Sequence, residues 1–219
     1  MKLYDEYDPA PNPRRVRIFL KEKDIDIPLV HTPLSKGKHK APEFLAKNSL
    51  GQLPVLELDD GTCISESVAI CRYLEELHPE PPLFGSSALE RAQVDMWIRR
   101  IEFRLMQPVG QIWVNTHPFT AAVVAARGGK QHVEFGESNR PIFESGCKWL
   151  NRELEGREFI AGPRYTMADI VAQSTFDFAR VIGVTIPDNC TNLLAWYDRV
   201  NARPSAALDL SKSLLKLPT

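Results

Sequence analysis

The sequence has little that would tie the protein to a nucleic acid or to a membrane. Its 219 residues carry a formal net charge of −1, so there is no excess of positive charge for nucleic acid or an anionic bilayer. No apolar run approaches the roughly 18 residues that a membrane-spanning helix needs. The charged start MKLYDEYDP lacks the apolar core of a signal peptide. We therefore expect a cytoplasmic protein that binds neither nucleic acid nor membrane.

Cysteine is also scarce. The four cysteines, at positions 63, 71, 147 and 190, form no Cys-x-x-Cys pair and have no histidine at a zinc-binding spacing. The pattern predicts free thiols in a reducing compartment and no metal site. Any thiol chemistry is expected to use a thiol that comes from outside the chain.

The first 78 residues alternate between predicted strands and helices. Strands are predicted at 2–4, 27–31, 55–58 and 62–64, a short helix at 41–47, and longer helices beginning at Asn12 and Ser65. Asn12 is a favoured N-cap ahead of Pro13, and Ile70, Tyr73, Leu74 and Leu77 are predicted to line one face of the later helix. The order predicts two strands joined by a helical crossover, followed by an antiparallel hairpin.

After a proline-rich linker at 79–87, the pattern becomes entirely helical. One long helix is predicted to end or kink near Pro108, and others follow at about 133–155, from Thr166 onward, and at about 192–202. Thr166 and Asp169 form the Thr-x-x-Asp pattern of a capping box. The helix that they begin is apolar almost all round, which predicts a buried central position. We therefore predict an α/β domain at 1–78, the linker at 79–87, and an all-α domain at 88–219.

This whole-chain pattern resembles the cytosolic glutathione S-transferase family. The matching stretches are RRVRIFLKEKD, KGKHKAPEFLAKNSLGQLPVLELDDG, ISESVAICRYLEEL, FIAGPRYTMADI and WYDRVNARPS. The resemblance implies a thioredoxin-like N-terminal domain that binds glutathione and an all-helical C-terminal domain that holds a second substrate. It also implies a homodimer.

The resemblance implies that Pro54 is preceded by a cis peptide bond. Proline is confined to strand starts, edges and bulges, and the cis form costs an X–Pro bond only about 0.5–1 kcal/mol. In the family this geometry turns the preceding residue, here Leu53, toward the cysteinyl backbone of glutathione, which binds as an added strand. A trans proline at the start of an edge strand is the alternative.

Other glutathione contacts are implied at the positions that match the family. Glu66 and Ser67 begin a helix, where free N–H groups favour a carboxylate; they suit the ammonium and carboxylate of the γ-glutamyl end. Gln52 suits either end, while His39 and Lys40 suit the glycyl carboxylate. Pro13 completes this set. Without the family, the same residues would be interpreted as a helix start and solvated surface.

The thiol-activating residue departs from the family pattern. The usual serine or cysteine position is occupied by Ala10, as in an atypical bacterial or theta-like member. Alanine neither donates a hydrogen bond nor forms a mixed disulfide, which argues against a cysteine-based thiol transferase. Asn12, Tyr7 and the backbone N–H groups around residues 12–14 remain as donors. Arg14 and Arg15 could pair with an anion or with a partner subunit, but the favoured expectation is that they lie on the surface.

The sequence therefore predicts a transferase that stabilises the thiolate of glutathione and passes it to a small electrophile. Conjugation and glutathione-dependent reduction of a peroxide or disulfide both fit. A non-catalytic binding protein on the same fold is one alternative. A glutathione-dependent isomerase or lyase is another, although Ala-Pro-Asn-Pro does not match the Ser-Ser-Cys motif frequent in those enzymes. Gln107, Gln111, Trp113 and His117 are near the expected second-substrate site by position alone.

Overall fold

The computed structural model describes residues 1–126 and 128–207, and its N-terminal part contains a four-stranded mixed sheet. The strands are β1 Lys2–Asp5, β2 Leu29–His31, β3 Val55–Glu57 and β4 Cys63–Ser65, in the order β2-β1-β3-β4. β1 pairs with β2 in parallel, and β3 is antiparallel to both β1 and β4. The predicted crossover and hairpin are confirmed, with strand ends shifted by one or two residues.

Three helices accompany the sheet: α1 Pro11–Glu22, α2 Pro42–Leu45 and α3 Ser67–Leu77. α1 buries Val16, Phe19 and Leu20, the stripe that its spacing places on one face. α3 buries Ile70 and Leu74, whereas its last residue, Leu77, is half-exposed. The predicted α3 face is therefore correct in its first turns and wrong at its end.

The predicted starts of α1 and α3 are both wrong. The N-cap of α1 is Ala10, so Asn12 lies within the first turn and caps nothing. Pro11 takes the first helical position, where its missing N–H costs no hydrogen bond. The N-cap of α3 is Glu66, with φ +67° and no capping side chain, so Ser65 is not the cap either.

From Ala88 onward the described residues contain helices and no strands. They are α4 Ala88–Ile101, α5 Gln107–Thr116, α6 Pro118–Ala126, α7 Val133–Ser138, α8 Arg140–Glu153, α9 Met167–Val181 and α10 Thr191–Asn201. A π-helical segment, Glu102–Met106, joins α4 to α5. None of these helices is both long and apolar enough to cross a membrane.

Prolines explain where these helices differ from the predicted ones. Pro108 has no N–H to give to the preceding turn, and the π-helical segment ends two residues before it, at Met106. The predicted helix at 133–155 is divided at Asn139, one residue before Arg140–Pro141 begins α8. α6 was not predicted, because its sequence PFTAAVVAA has no amphipathic period.

α9 is the centre of the helical domain, as its apolar sequence predicts. All but one of its residues are buried. The capping box is confirmed: Asp169 Oδ2 accepts hydrogen bonds from the backbone N–H of Thr166 (2.9 Å) and from its hydroxyl (3.1 Å). Asp169 Oδ1 also accepts from the N–H of Ile160 and from Nε1 of Trp196, both at 2.9 Å. One carboxylate thus ties together α9, α10 and the loop before α9.

The two domains meet where α1 packs on α9. Arg14 of α1 donates from Nε to Asp177 Oδ2 of α9 at 2.7 Å, and both side chains are buried. Its Nη2 donates to the carbonyl of Ala206 at 2.6 Å. This contact fixes the first turn of α1 against the helical domain.

Candidate functional site

The peptide bond between Leu53 and Pro54 is cis, as predicted. Leu53 is largely buried, and it directly precedes the β3 strand. Among the described residues, neither its N–H nor its C=O has a hydrogen-bond partner. Both groups therefore remain for an extended peptide lying alongside.

The side chain of Lys40 supports the loop before Leu53. Lys40 Nζ donates to the carbonyls of Leu50 (2.8 Å) and Gly51 (2.9 Å). Lys40 and His39 lie in a short 3₁₀ turn, Lys38–Lys40. Gln52 is exposed and its carbonyl accepts from Asn48 Nδ2 at 2.9 Å. The structure therefore places His39, Lys40 and Gln52 around one loop, with Lys40 already holding that loop in shape.

Gly51 is required where the 3₁₀ turn approaches this loop. Its φ is +56°, and a Cβ there would lie 2.6 Å from the His39 carbonyl oxygen. We predict that Gly51→Ala lowers the free energy of unfolding by about 2 kcal/mol or more, since a left-handed residue costs roughly 1–2 kcal/mol before the clash is added. Chemical denaturation measures this. Gly37→Ala is the matched control, because Gly37 has φ +65° with open space around its Cβ; an equal loss in both variants would contradict the clash.

The first turn of α3 is the most evident anion-binding feature of this half of the molecule. No side chain caps the helix, so its first N–H groups stay available. Ser67 is buried at the first helical position, and Glu66 is exposed beside it. A carboxylate is favoured at this end by both the N–H groups and the helix dipole.

These residues open into a cavity of about 610 Å³ that we call the charged cavity. Its wall carries three arginines and three acids: Arg15, Arg72, Arg99, Glu66, Asp95 and Glu102. Asn12, Ser67 and Gln107 also line it. The mixture of both signs suits a zwitterion better than a simple anion.

Asn12 lies half-buried at the start of α1, beside Ser67 on this cavity. Its side-chain amide has no partner among the described residues. Pro11 and Pro13 have no N–H, and the N–H of Arg14 is bonded to the carbonyl of Ala10 at 3.1 Å. Of the backbone donors predicted around residues 12–14, only that of Asn12 therefore remains. Pro13 itself is buried and lines neither this cavity nor the apolar one described below.

Arg14 and Arg15 are not surface residues, so that expectation is wrong. Their side chains are 2% and 3% exposed. Arg15 Nη1 donates to Ser67 Oγ (3.4 Å) and to Glu102 Oε1 (3.3 Å), and Nε donates to Ser174 Oγ (3.3 Å). Burial lowers the pKa of Arg15, while Glu102 opposes that shift. The only feature of the sequence that could have indicated their burial is the position of two arginines in the first turn of α1, just before an apolar stripe.

A second cavity also borders the start of α1, at Ala10 and Pro11, and has a volume of about 380 Å³. We call it the apolar cavity because apolar side chains form most of its wall, although three charged residues also line it: Glu6, Asp8 and Lys36. Tyr7 stacks on His31 along one wall, with ring centroids 3.7 Å apart. Trp113 and Phe178 form another wall, in edge contact at 5.3 Å. Phe119 of α6 completes this wall, stacked on Trp113. Four residues were candidates for the second-substrate site by position alone. Of these, Trp113 lines this cavity and Gln107 lines the charged one.

The two candidate thiol donors are therefore separated. Asn12 belongs to the charged cavity, whereas Tyr7 belongs to the apolar cavity. The start of α1 borders both cavities: Ala10 and Pro11 line the apolar cavity, and Asn12 lines the charged one. A group held between the two cavities would lie at a helix N-terminus, where developing negative charge is stabilised.

Comparisons with known proteins agree with this architecture. Family models of the glutathione S-transferase N-terminal domain and C-terminal domain match residues 6–82 and 137–204. Glutathione S-transferase 2 of Saccharomyces cerevisiae is 39% identical over 94% of this chain and 87% of its own length. Human glutathione S-transferase theta-2 is 32% identical, over 89% and 78%. The crystal structure of Gtt2 from Saccharomyces cerevisiae superposes with a TM-score of 0.87 at 38% identity, covering 94% of this chain and 98% of that one. The protein belongs to the glutathione S-transferase family.

Proposed function

We propose that the protein is a glutathione transferase that transfers the thiolate of glutathione to a small apolar electrophile. The observation that carries this proposal is that a charged cavity and an apolar cavity flank one helix start. Glutathione is a charged peptide, and the electrophile is a small apolar molecule. The proposed reaction needs the two to meet at the sulfur atom.

Glutathione is proposed to lie across the N-terminal domain in an extended form. Its cysteinyl backbone pairs with the free N–H and C=O of Leu53. The γ-glutamyl end reaches Glu66 and Ser67 at the start of α3, and the glycyl end lies toward His39, Lys40 and Gln52. Ordinary peptide-recognition physics supports this placement, because a peptide that adds a strand uses backbone groups for affinity and its ends for specificity.

Asn12 is proposed to stabilise the thiolate. A cysteine thiol has a pKa of about 8.5, and hydrogen-bond donors to the thiolate lower that value. Asn12 offers a side-chain N–H and a backbone N–H at the positive end of α1. Tyr7 is the alternative donor; its ring lies in the wall of the apolar cavity, stacked on His31. Ala10 supplies no donor.

The chemistry then proceeds without a covalent enzyme intermediate. The thiol loses its proton to solvent, the thiolate attacks an electrophilic carbon, and a carbon–sulfur bond forms as the leaving group departs with its electron pair. The aromatic walls around Tyr7, Trp113 and Phe178 favour a flat apolar acceptor, since aromatic rings pack well face to edge or offset.

The test is whether the protein conjugates glutathione to a chlorinated nitrobenzene. The release of chloride measures the reaction. We expect turnover above the spontaneous rate, together with saturable binding of glutathione. Binding without turnover on this or other electrophiles, including a peroxide and a glutathione mixed disulfide, would favour the non-catalytic alternative. Failure to bind glutathione at all would reject the proposal.

The domain boundaries, the homodimer and the cellular location are also proposals. A division into domains at 1–78 and 88–219, with a linker between them, agrees with the change from mixed to helical structure. A homodimer is supported by the exposed apolar side chains of Leu89, Met96 and Phe103, which recur every seven residues along α4 and the π-helical segment. A cytoplasmic location is proposed from the four cysteines, all of which are free thiols in the structure, as a reducing compartment favours.

A further inference from the structure

The carboxylate of Glu6 holds two walls of the apolar cavity together. Oε1 accepts a hydrogen bond from the backbone N–H of Tyr7 at 2.8 Å, and Oε2 accepts one from the N–H of Leu34 at 2.6 Å. His31 Nδ1 lies 3.7 Å from Oε1. Because Leu34 begins the 3₁₀ turn Leu34–Lys36, Glu6 ties that turn to the loop before α1. Both oxygens of Glu6 are therefore used by the protein itself.

Asp8, the second acid of this cavity, is also engaged inside the protein. Its side chain is buried, and each carboxylate oxygen pairs with an arginine. Oδ1 contacts Nη2 of Arg17, and Oδ2 lies 3.4 Å from Nη1 of Arg14. Neither acid that lines the cavity is thus left to bind a positively charged group of a substrate.

Lys36 differs from the two acids. Its ammonium group makes no hydrogen bond or ion pair with any residue that the structure describes. Lys36 ends the 3₁₀ turn, and it is exposed although it lines the cavity, which places it at the rim. Of the charged groups that line this cavity in the described chain, the Lys36 ammonium is therefore the one available to a bound molecule.

We propose that Lys36 is a specificity-determining residue, and that the preferred electrophile is a small acid with a flat apolar body and one anionic group. This inference rests on the proposed function, because it assigns the molecule that accepts the glutathione thiolate. The apolar body packs against Trp113, Phe119 and Phe178 of the helical domain. The anionic group pairs with the Lys36 ammonium at the rim.

The size of the cavity supports this selection. Its volume of about 380 Å³ lies near the lower end of the range for ligand pockets, about 300–1,000 Å³. Ala10 and Pro11 at the start of α1 line the same small cavity as Lys36. One small molecule can therefore extend from the reacting sulfur to the ammonium. A neutral acceptor gains only the apolar contacts, whereas an acid gains the ion pair as well.

The experiment compares two electrophiles that differ in charge, 4-chloro-3,5-dinitrobenzoate and 4-chloro-3,5-dinitrobenzamide. In both reactions the thiolate forms a bond to the ring carbon that carries chlorine, and chloride leaves with the electron pair of the carbon–chlorine bond. The carboxylate or amide group is unchanged. The value of kcat/KM is measured for each electrophile at saturating glutathione, after subtraction of the spontaneous rate.

The proteins are wild type, Lys36→Met and Lys148→Met. Lys148 is exposed on α8 and lines neither cavity, so its variant controls for the loss of one surface charge. We expect Lys36→Met to lower kcat/KM for the benzoate about fivefold at low salt, the upper end for an exposed ion pair, and for the benzamide less than twofold. Lys148→Met should change neither value by more than twofold.

Salt gives a second readout. Raising the ionic strength from about 0.01 M to about 1 M shortens the Debye length from about 30 Å to about 3 Å. The preference of wild type for the benzoate should then fall toward that of Lys36→Met, while the preference of Lys36→Met should change little.

Equal losses for the two electrophiles, or no loss for the benzoate in Lys36→Met, would overturn the inference and leave the proposed function intact. An equal loss for the benzoate in Lys148→Met would also overturn it, because the effect would then come from the overall charge of the protein. Wild type that turns over neither electrophile nor an uncharged chlorinated nitrobenzene would instead reject the proposed function.

Discussion

Replacing Asp169 with alanine is expected to lower the free energy of unfolding by about 3 kcal/mol or more. The carboxylate is completely buried and accepts four hydrogen bonds, from Thr166 N–H and hydroxyl, Ile160 N–H and Trp196 Nε1. Its removal leaves three buried N–H donors without partners, at about 1–3 kcal/mol each. Since domains are stable by only about 5–15 kcal/mol, this change threatens folding itself.

Denaturant unfolding followed by circular dichroism measures the loss. Asp188→Ala is the control, because Asp188 is exposed and surface substitutions usually stay within about 0.5 kcal/mol. A variant that accumulates only in insoluble form agrees with the expectation. An Asp169→Ala protein within about 1 kcal/mol of wild type would show that the buried carboxylate does not organise the helical domain.

Replacing Arg14 with methionine is expected to cost about 3–5 kcal/mol, the usual effect of removing one partner of a buried ion pair. Asp177 is 1% exposed and would keep only the hydroxyl of Tyr197, at 2.6 Å, as its donor. The carbonyl of Ala206 would also lose its partner. Because Arg14 and Asp177 join α1 to α9, we expect the loss to appear as weaker coupling between the two domains.

The measurement is the free energy of unfolding of Arg14→Met beside Arg140→Met. Arg140 pairs with Glu137 on the surface, where an ion pair is worth about 0.2–1 kcal/mol. The double variant Arg14→Met, Asp177→Leu should recover part of the loss, since replacing a whole buried pair by apolar residues is often neutral. Equal small losses in Arg14→Met and Arg140→Met would contradict the interdomain clamp.

Features encoded by neighbouring residues were predicted well. The hairpin of β3 and β4 and the capping box at Thr166 and Asp169 depend on short spacings. The crossover between β1 and β2 follows from the order of a strand, a helix and a strand, each of which has a local pattern. The starts of α1 and α3 were predicted wrongly, because side-chain preferences alone suggested Asn12 and Ser65. The backbone instead begins α1 with Pro11 and α3 after Glu66 at positive φ.

The site was predicted only in part, for a physical reason. Arginine is rarely buried unless it is paired, so Arg15 looked like surface. Its partners Ser67, Glu102 and Ser174 lie on three other elements, between 52 and 159 positions along the chain. The apolar cavity is likewise built from separated segments that include Tyr7, Trp113 and Phe178. Such long-range juxtapositions have no local pattern.

The most direct test of the central claim is the pKa of the glutathione thiol when it is bound. The ultraviolet absorbance of the thiolate is followed from acidic to alkaline pH in wild type, Asn12→Ala and Tyr7→Phe. We expect a pKa well below the ordinary value of about 8.5 in wild type and Tyr7→Phe, and most of that shift lost in Asn12→Ala. Glutathione bound to wild type with an unshifted thiol pKa would contradict thiolate stabilisation, and a shift lost only in Tyr7→Phe would transfer the role from Asn12 to Tyr7.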